Sequence, residues 1–306
     1  MIAKITLATR GSDLARAQTL LVENAIRTAH PNVAIETKII VTGGDNSKVV
    51  DPHAGRKGLF TAEIERALLA GDVDVAVHSA KDLPSQTSSG AQIAAVLPRA
   101  PINDVLISKH SGGLASVPCG ATVATGSVRR QRQLHWKRPD LNVVDLRGNV
   151  PTRLRKLAEN EWAGIVLARA GLERLGFSPT LSEFGFEDAQ FFPEILSGKI
   201  FLPAGGQGII ALQIRADDQG AKALLESIND PETLLCLQAE REFLNRLHGD
   251  CNFPVGVHAT INDGKMKLRA QLFEGESPAP RQGEVEGASD EGDRLAAELL
   301  LKTEQD

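Results

Sequence analysis

The sequence predicts an α/β fold with a small α+β region at its C-terminal end. Strand-like and helix-like segments alternate through the first two thirds of the chain, which is typical of mostly parallel sheets covered by helices. Hydrophobic residues make up 42% of the 306 residues, and there are 28 glycines. This is the apolar share of an ordinary globular protein, so it excludes disorder, collagen-like structure and coiled coil for the chain as a whole.

The pattern of apolar residues predicts the elements in order. A strand at 2–9 comes first, and Ser12 can cap a following helix in which Leu14, Leu21 and Ala25 recur at helical spacing. Alternating or continuous apolar runs predict further strands at 33–41, 73–78, 93–97, 104–108, 121–125, 142–146, 164–168 and 209–214. A helix, two strands and a final helix complete the C-terminal region, at 232–247, 255–261, 265–273 and 290–302.

A polar, glycine-bearing stretch at 42–58 separates the second strand from a helix at 61–71. It is long for a loop inside a compact domain, and such loops are typically lids or binding loops.

Several classes of protein are excluded by composition. No run approaches eighteen apolar residues, and charge returns at Arg10 before a signal-peptide core could form. Cys119, Cys236 and Cys251 lie far apart, which argues against a disulfide framework and against a cysteine zinc site. We therefore expect a cytoplasmic protein that holds no metal and associates with no membrane.

The charge distribution points to a small anionic ligand. The net charge of −5 disfavours a nucleic-acid partner. Arginines nevertheless crowd into two short stretches: Arg129, Arg130, Arg132, Arg147, Arg153 and Arg155. Guanidinium groups pair with carboxylates or phosphates through two parallel hydrogen bonds, which favours a polyanionic ligand. The alternative is a solvated helix face with surface ion pairs.

The polar motifs follow predicted strands, at 78–84, 126–132, 147–153 and 169–174. Ligands of open α/β sheets bind outside the carboxyl ends of the strands, where helix N-termini offer free N–H groups. Ser127 and Pro151 suit helix starts. Arg129, Arg130 and Arg153 are therefore expected in first helical turns, beside backbone donors.

Seven segments resemble, in the same order, the motifs of the porphobilinogen deaminase family. They are ATRGSDLARAQ (8–18), GRKGLF (55–60), HSAKDLP (78–84), TGSVRRQRQL (125–134), LRGNVPTRLRKL (146–157), LPAGGQG (202–208) and GDCNFPVG (249–256). The resemblance implies two domains similar to periplasmic binding proteins, with the active site between them, and a third domain that carries a cysteine on a loop. The expected boundaries are 1–100 with 203–226, then 101–202, then 227–306.

The resemblance also implies the reaction. Four porphobilinogen molecules are joined head to tail with loss of ammonia, and water releases the linear tetrapyrrole hydroxymethylbilane. The primer is one dipyrromethane per chain, held by a thioether to a cysteine that matches Cys251. Each pyrrole carries two carboxylates, so the cleft needs many fixed cations, and arginine supplies them without titrating.

The family's roles carry over residue by residue. Asp82 matches the catalytic carboxylate. Residues that match the cofactor site, besides Cys251, are Lys81, Ser127, Arg129 and Arg130. Residues expected at the substrate and the growing chain are Arg10, Ser12, Gln18, Lys57, Arg147, Arg153, Arg174 and Gln207. The expected partner is porphobilinogen alone, bound by a monomer.

Structural and non-catalytic interpretations of these residues and of the chain remain open at this point. Asp82 could merely pair with Lys81 or cap a turn, and Cys251 could be a small buried hydrophobe. The whole chain could be a cytosolic anion-binding or effector-sensing module without catalysis. Three positions depart from the family's pattern: His53 stands for a frequent lysine, Gly126 for a serine, and Asp250 for a glycine.

Overall fold

The first sheet has five strands. The computed structural model describes residues 2–42, 61–247, 253–275 and 277–305. The strands lie in the order β2-β1-β3-β11-β4, with bounds Lys4–Thr9 (β1), Ala34–Ile39 (β2), Val75–Ser79 (β3), Ala91–Val96 (β4) and Ile210–Arg215 (β11). β1 pairs with β2 and β3 in parallel, whereas β11 runs antiparallel between β3 and β4.

The second sheet has six strands in the order β7-β6-β8-β5-β10-β9. Their bounds are Asp104–Ser108 (β5), Thr122–Ala124 (β6), Asn142–Val144 (β7), Gly164–Ala168 (β8), Phe184–Phe186 (β9) and Ala189–Ile195 (β10). β6 pairs with β7 and β8 in parallel, and β5 runs antiparallel between β8 and β10. The first five strands therefore repeat the directions of the first sheet.

Helices cover these sheets and join their strands. Their bounds are Asp13–Ala29 (α1), Ala62–Leu69 (α2), Gly113–Ser116 (α3), Val128–Lys137 (α4), Val150–Glu159 (α5), Arg169–Arg174 (α6) and Gln219–Glu226 (α7). The Ser12 hydroxyl accepts a hydrogen bond from Ala15 N at 3.3 Å, so the predicted cap of α1 is confirmed. The helix packs through Val22 and Ile26 and leaves Leu21 exposed.

The third sheet is antiparallel, in the order β12-β13-β14. Its strands are Val255–Asn262 (β12), Lys265–Leu272 (β13) and Arg281–Ala288 (β14). Helices α8 (Pro231–Arg246) and α9 (Gly292–Gln305) pack on it around Phe243, Leu268 and Leu299. No helix in the described ranges has both the length and the apolar character needed to cross a membrane.

The predicted fold class is confirmed, with one refinement. Four strands of each large sheet run in one direction, and β11 and β5 are inserted antiparallel to them where the chain has crossed from the other sheet. The crossing segments are 97–103 and 196–209. β5 and β11 each follow a crossing segment and not the helix of a βαβ unit. The sequence therefore does not indicate whether they run parallel or antiparallel to their neighbours.

Candidate functional site

The segment after β3 carries the predicted catalytic carboxylate. Strand β3 is buried as far as His78 and ends at Ser79, and Ala80–Asp82 form one turn of 3₁₀-helix before the chain extends again at Leu83. Lys81 is half-buried and Asp82 is exposed. Among the described residues, neither the ammonium of Lys81 nor the carboxylate of Asp82 has a hydrogen-bond or ion-pair partner. The two groups are therefore available to a ligand.

Gln18 fixes the start of this turn from the neighbouring helix. Its amide Nε2 donates to Ser79 Oγ at 2.8 Å, and Ser79 Oγ lies 3.0 Å from Gln18 Oε1. Gln18 is 4% exposed. The structure therefore places Gln18 behind the turn, where it holds Ser79.

The first turn of α4 holds Arg129 and Arg130, and both are buried. Their guanidinium groups share one carboxylate, that of Asp104 at the start of β5. Arg129 Nη1 lies 2.8 Å from Asp104 Oδ2, and Arg130 Nη2 lies 2.7 Å from Oδ1. Arg129 also donates to Leu202 O, and Arg130 to Val166 O. Two cations facing one anion leave an excess positive charge in the interior.

Ser127 precedes this turn at the N-cap position, but its side chain makes no capping hydrogen bond. Gly126 beside it has no room for a side chain, since a Cβ there would lie 2.4 Å from Leu146 O. The missing serine at this position is therefore explained by close packing against the segment after β7.

A second group of cations lies at the start of α5. Asn149 caps this helix by accepting from Thr152 N at 2.9 Å, and Arg153 Nε donates to Gly148 O at 2.6 Å. Arg147 is exposed and lies 2.5 Å from Asp145. Arg153 thus keeps most of its guanidinium donors for other partners, whereas Arg147 already has a surface counter-ion.

Charge interactions link residues that follow strands of the two large sheets. Burial, together with the positive charge of Arg130, lowers the pKa of Lys81 to about 8. Burial likewise lowers the pKa of Arg153 to about 10, again with a contribution from Arg130. The carboxylate of Asp82 opposes both shifts. Lys81, Asp82, Arg130 and Arg153 therefore form one cluster, which we call the cationic cluster.

The strap at 203–209 passes beside this cluster. Gln207 is 1% exposed, and its Nε2 donates to Asp104 Oδ1 at 2.9 Å and to Ile102 O. Arg174 donates to Gly208 O at 2.6 Å, and burial lowers the pKa of Arg174 to about 10. A Cβ on Gly206 would lie 3.0 Å from Ala80 C and Lys81 N. The strap thus packs directly against the turn that carries Asp82.

Several predicted residues lie elsewhere or outside the described ranges. Arg10 follows β1 at the carboxyl edge of the first sheet and is half-buried. Ser12 serves as the helix cap described above. Cys251, Lys57, His53 and Asp250 lie outside the described residues, as does the loop at 42–58 apart from Thr42.

Two carboxylates important to the site were missed by sequence reasoning. Asp104 and Glu240 are both fully buried. Asp104 begins an apolar strand 25 residues before Arg129, and Glu240 lies within a helix far along the chain, so no spacing links either to its partners. A charged residue at a fully apolar position is the one signal that could have marked them.

The residues present suit a ligand with several carboxylates. The side chains of Lys81 and Ser127 have no hydrogen-bond partner among the described residues, and Arg129 and Arg130 share a single counter-ion. The Nε atoms of both arginines are buried without a partner in the same part of the structure. Cations desolvated without enough counter-ions gain most from a polyanion. The fold and the site thus define an α/β protein whose clustered cations suit a polyanionic ligand and lie beside an exposed carboxylate.

Comparison with known families identifies the family. Residues 5–223 match the family described as "Porphobilinogen deaminase, dipyromethane cofactor binding domain", and residues 234–301 match "Porphobilinogen deaminase, C-terminal domain". The chain belongs to the porphobilinogen deaminase family. It is a transferase of tetrapyrrole biosynthesis, a hydroxymethylbilane synthase with a dipyrromethane cofactor, as the resemblance of its motifs implied.

Curated relatives agree over nearly the whole chain. Porphobilinogen deaminase from Syntrophomonas wolfei is 41% identical over 298 residues, which cover 96% of this chain and 93% of the relative. The enzyme of the same name from Roseiflexus sp. is 41% identical over 97% of this chain and 95% of its own length. Among solved structures, the methionine binding protein MetQ aligns with a TM-score of 0.45 at 14% identity, over 76% of this chain and 92% of MetQ.

Proposed function

We propose that the cationic cluster and the buried arginines of α4 bind the carboxylates of the dipyrromethane and of the incoming porphobilinogen, with Asp82 as the catalytic carboxylate. The observation that carries this proposal is the desolvated Lys81, whose pKa is lowered to about 8 next to Arg130 and Asp82. Lys81 and Ser127, with Arg129 and Arg130, form the cofactor side. Arg153 and Arg147, with Arg10, form the substrate side.

When bound, the dipyrromethane supplies the terminal pyrrole carbon to which porphobilinogen units are added. Asp82 stabilises the positive charge that develops on the pyrrole nitrogen of porphobilinogen as ammonia leaves. The same carboxylate accepts the proton that the attacking carbon loses. The exposed position of Asp82, within a ring of cations that orient the carboxylates, supports both roles.

We propose Cys251 as the attachment site. Two anchors flank it along the chain. Asn245, six residues before it, accepts from Gln86 at 3.0 Å, and Val257, six residues after it, donates to Pro203 O at 2.9 Å. The described residues on either side of position 251 are thus bound to the segment that follows the turn and to the strap.

We propose roles of support for the remaining predicted residues. Gln18 and Gln207 position Ser79 and the strap, and Arg174 fixes Gly208. Ser12 holds the start of α1 beside Arg10. Lys57 stays a proposed substrate contact on sequence grounds alone.

We also propose three domains with boundaries 1–100 with 203–226, 101–202, and 227–306, since each range holds the strands of one sheet. The protein is proposed to act as a cytoplasmic monomer without nucleic-acid or membrane partners. Its net charge of −5 and its widely spaced cysteines support this. Sedimentation of the purified enzyme tests the oligomeric state.

Mass spectrometry tests the attachment site. The intact enzyme should carry the mass of two linked pyrrole units, and proteolysis should place them on the peptide that contains Cys251. Cys251→Ser should be folded, unmodified and inactive, whereas Cys119→Ser, at an exposed thiol, should load normally. An adduct on Cys119 or Cys236, or active enzyme without an adduct, would refute the proposal.

A further inference from the structure

Asp104 has an unusual position for a carboxylate. It opens β5, an otherwise apolar strand of the second sheet, and is 0% exposed. Burial alone would raise the pKa of its carboxyl, but the charges and hydrogen bonds of Arg129 and Arg130 outweigh burial and hold the pKa well below its usual range. Asp104 is therefore a permanent anion in the interior.

Three side chains from two different segments converge on this one group. Arg129 reaches Oδ2, while Arg130 and Gln207 reach Oδ1, at distances between 2.7 and 2.9 Å. Gln133, one turn further along α4, accepts from Arg129 Nη1 at 2.8 Å and closes the array. The arginines belong to α4 and the glutamine to the strap, so a single carboxylate sets the distance between these elements.

The array does not neutralise the site. One carboxylate faces two guanidinium groups, and Lys81 adds a third cation. If Asp104 served only as a counter-ion, it would leave buried positive charge uncompensated, which destabilises the fold. If it serves to orient the cations, the excess charge is what remains to bind the ligand.

We propose that Asp104 is the positioning residue of the cofactor site, which orients Arg129 and Arg130 and holds the strap against them through Gln207. This inference rests on the proposed role of the two arginines in binding the cofactor. Asp104 itself is fully buried behind the guanidinium groups and acts through them. Its loss should therefore impair assembly of the cofactor before it affects any later step.

The test compares Asp104→Asn with Ile107→Ala. Ile107 lies on the same strand, is also 0% exposed, and packs into the core on the opposite face with Phe191. Both variants should lose stability, the first by breaking a buried ion pair and the second by opening a cavity. Intact mass then reports how fast unmodified protein acquires the dipyrromethane from porphobilinogen. We expect loading at least tenfold slower in Asp104→Asn than in Ile107→Ala.

A second readout depends on charge. The charged groups that face Lys81 are Arg130, Arg129, Asp82 and Asp104, and the negative charge of Asp104 raises the pKa of Lys81. Loading by wild-type protein should therefore decline as the pH rises through about 8. In Asp104→Asn this decline should move to lower pH, whereas in Ile107→Ala it should stay in place. A loss of stability alone would not shift it.

The outcomes separate the two proposals. If Arg129→Leu and Arg130→Leu load like wild type, the proposed cofactor site is wrong. If they fail to load while folded Asp104→Asn loads as fast as Ile107→Ala with an unshifted pH profile, the inference about Asp104 alone is overturned. Should Asp104→Asn not fold, Asp104→Glu keeps the charge but displaces it by one methylene. It should still load more slowly than Ile107→Ala, and equal loading would overturn the inference.

Discussion

Asp82 and Lys81 are neighbours in sequence with different surroundings. Asp82 is exposed, and Lys81 is half-buried beside the guanidinium of Arg130. The pair makes no ion pair in the described structure, which disfavours the interpretation of Asp82 as a simple partner of Lys81. A carboxylate that keeps its hydrogen-bonding capacity at the edge of a cationic cleft is suited to a charge that appears only during the reaction.

Asp82→Asn should lower turnover by about 10²–10⁴-fold, the range for a positioned acid–base or electrostatic group. The Michaelis constant should change much less, because the arginines hold the carboxylates of the substrate. Steady-state kinetics on protein whose dipyrromethane has first been verified by intact mass measures both values. Cofactor-loaded Asp82→Asn that turns over within a few-fold of wild type would assign Asp82 a structural role.

Lys81 should make ligand binding depend on pH. Its pKa in the free site is about 8, so the ammonium is charged below that pH and neutral above it. A bound carboxylate stabilises the charged form and raises the pKa again, so affinity is highest below pH 8 and declines as the pH rises through it. Between pH 7 and pH 9 the affinity should fall by about tenfold, the limit over this interval for one linked group whose free pKa is about 8.

Calorimetry with a dipyrromethane tetracarboxylate measures this effect on Cys251→Ser, which cannot form the thioether. The matched control is Lys81→Met in the same background. It should bind more weakly at pH 7 and show little change up to pH 9. A wild-type-like slope in the methionine variant would show that another group is responsible.

At the scale of elements, the backbone of the strap lies against the turn Ala80–Asp82. Gly206 has φ +73°, and a Cβ there would meet Ala80 and Lys81 at 3.0 Å. Gly71 has φ +79°, but a Cβ there would meet nothing within 4 Å. Alanine at either position should cost about 1–2 kcal/mol of stability from the left-handed backbone.

Only Gly206→Ala should also displace the turn that carries Asp82. We expect its turnover to fall at least tenfold, since small displacements of reacting groups have large effects on rate, whereas Gly71→Ala should keep wild-type turnover. Thermal unfolding and kinetics on both variants measure the two effects. Equal turnover in the two variants would show that the strap does not position the turn.

Elements were predictable where the signal is local. Strands such as β1 and β3, and the helix starts at Ser12 and Pro151, follow from apolar runs and caps within a few residues. β9, β10 and β14 were not predicted. β14, with the sequence RQGEVEGA, buries only Val285 and therefore lacks an apolar pattern.

The residues of the site also divide into those that local sequence signals predicted and those that they did not. Motif matches assigned Lys81, Asp82 and Arg153 to one cleft, because each follows the end of a predicted strand. They did not reveal that Arg129 and Arg130 share Asp104, since that contact depends on how β5 is inserted into the sheet. Direction and insertion of crossing strands are set by the packing of the whole chain.

At the scale of the whole molecule, Glu240 of α8 joins β12 of the third sheet to the two segments that connect the large sheets. Its carboxylate binds Arg99 of the first crossing segment at 2.5 and 3.1 Å. It also accepts from Gly206 N of the strap at 2.6 Å and from Ala259 N of β12 at 2.7 Å. The helix that leads toward Cys251 is thereby fixed to the segments that connect the two large sheets.

Removing this carboxylate should destabilise the molecule more than any surface ion pair does. Glu240→Ala leaves the Arg99 guanidinium, which is 13% exposed, without its counter-ion, and breaking a buried pair in this way costs about 3–5 kcal/mol. Glu298→Ala is the matched control, since Glu298 pairs with Arg294 at the surface of α9, where such a pair contributes about 0–1 kcal/mol. Urea unfolding measures both changes, and hydrogen exchange should show β12 losing protection before β8 in Glu240→Ala. A loss below 1 kcal/mol, or equal protection of the two strands, would mean that the third sheet is held to the others by its apolar contacts and not by this carboxylate.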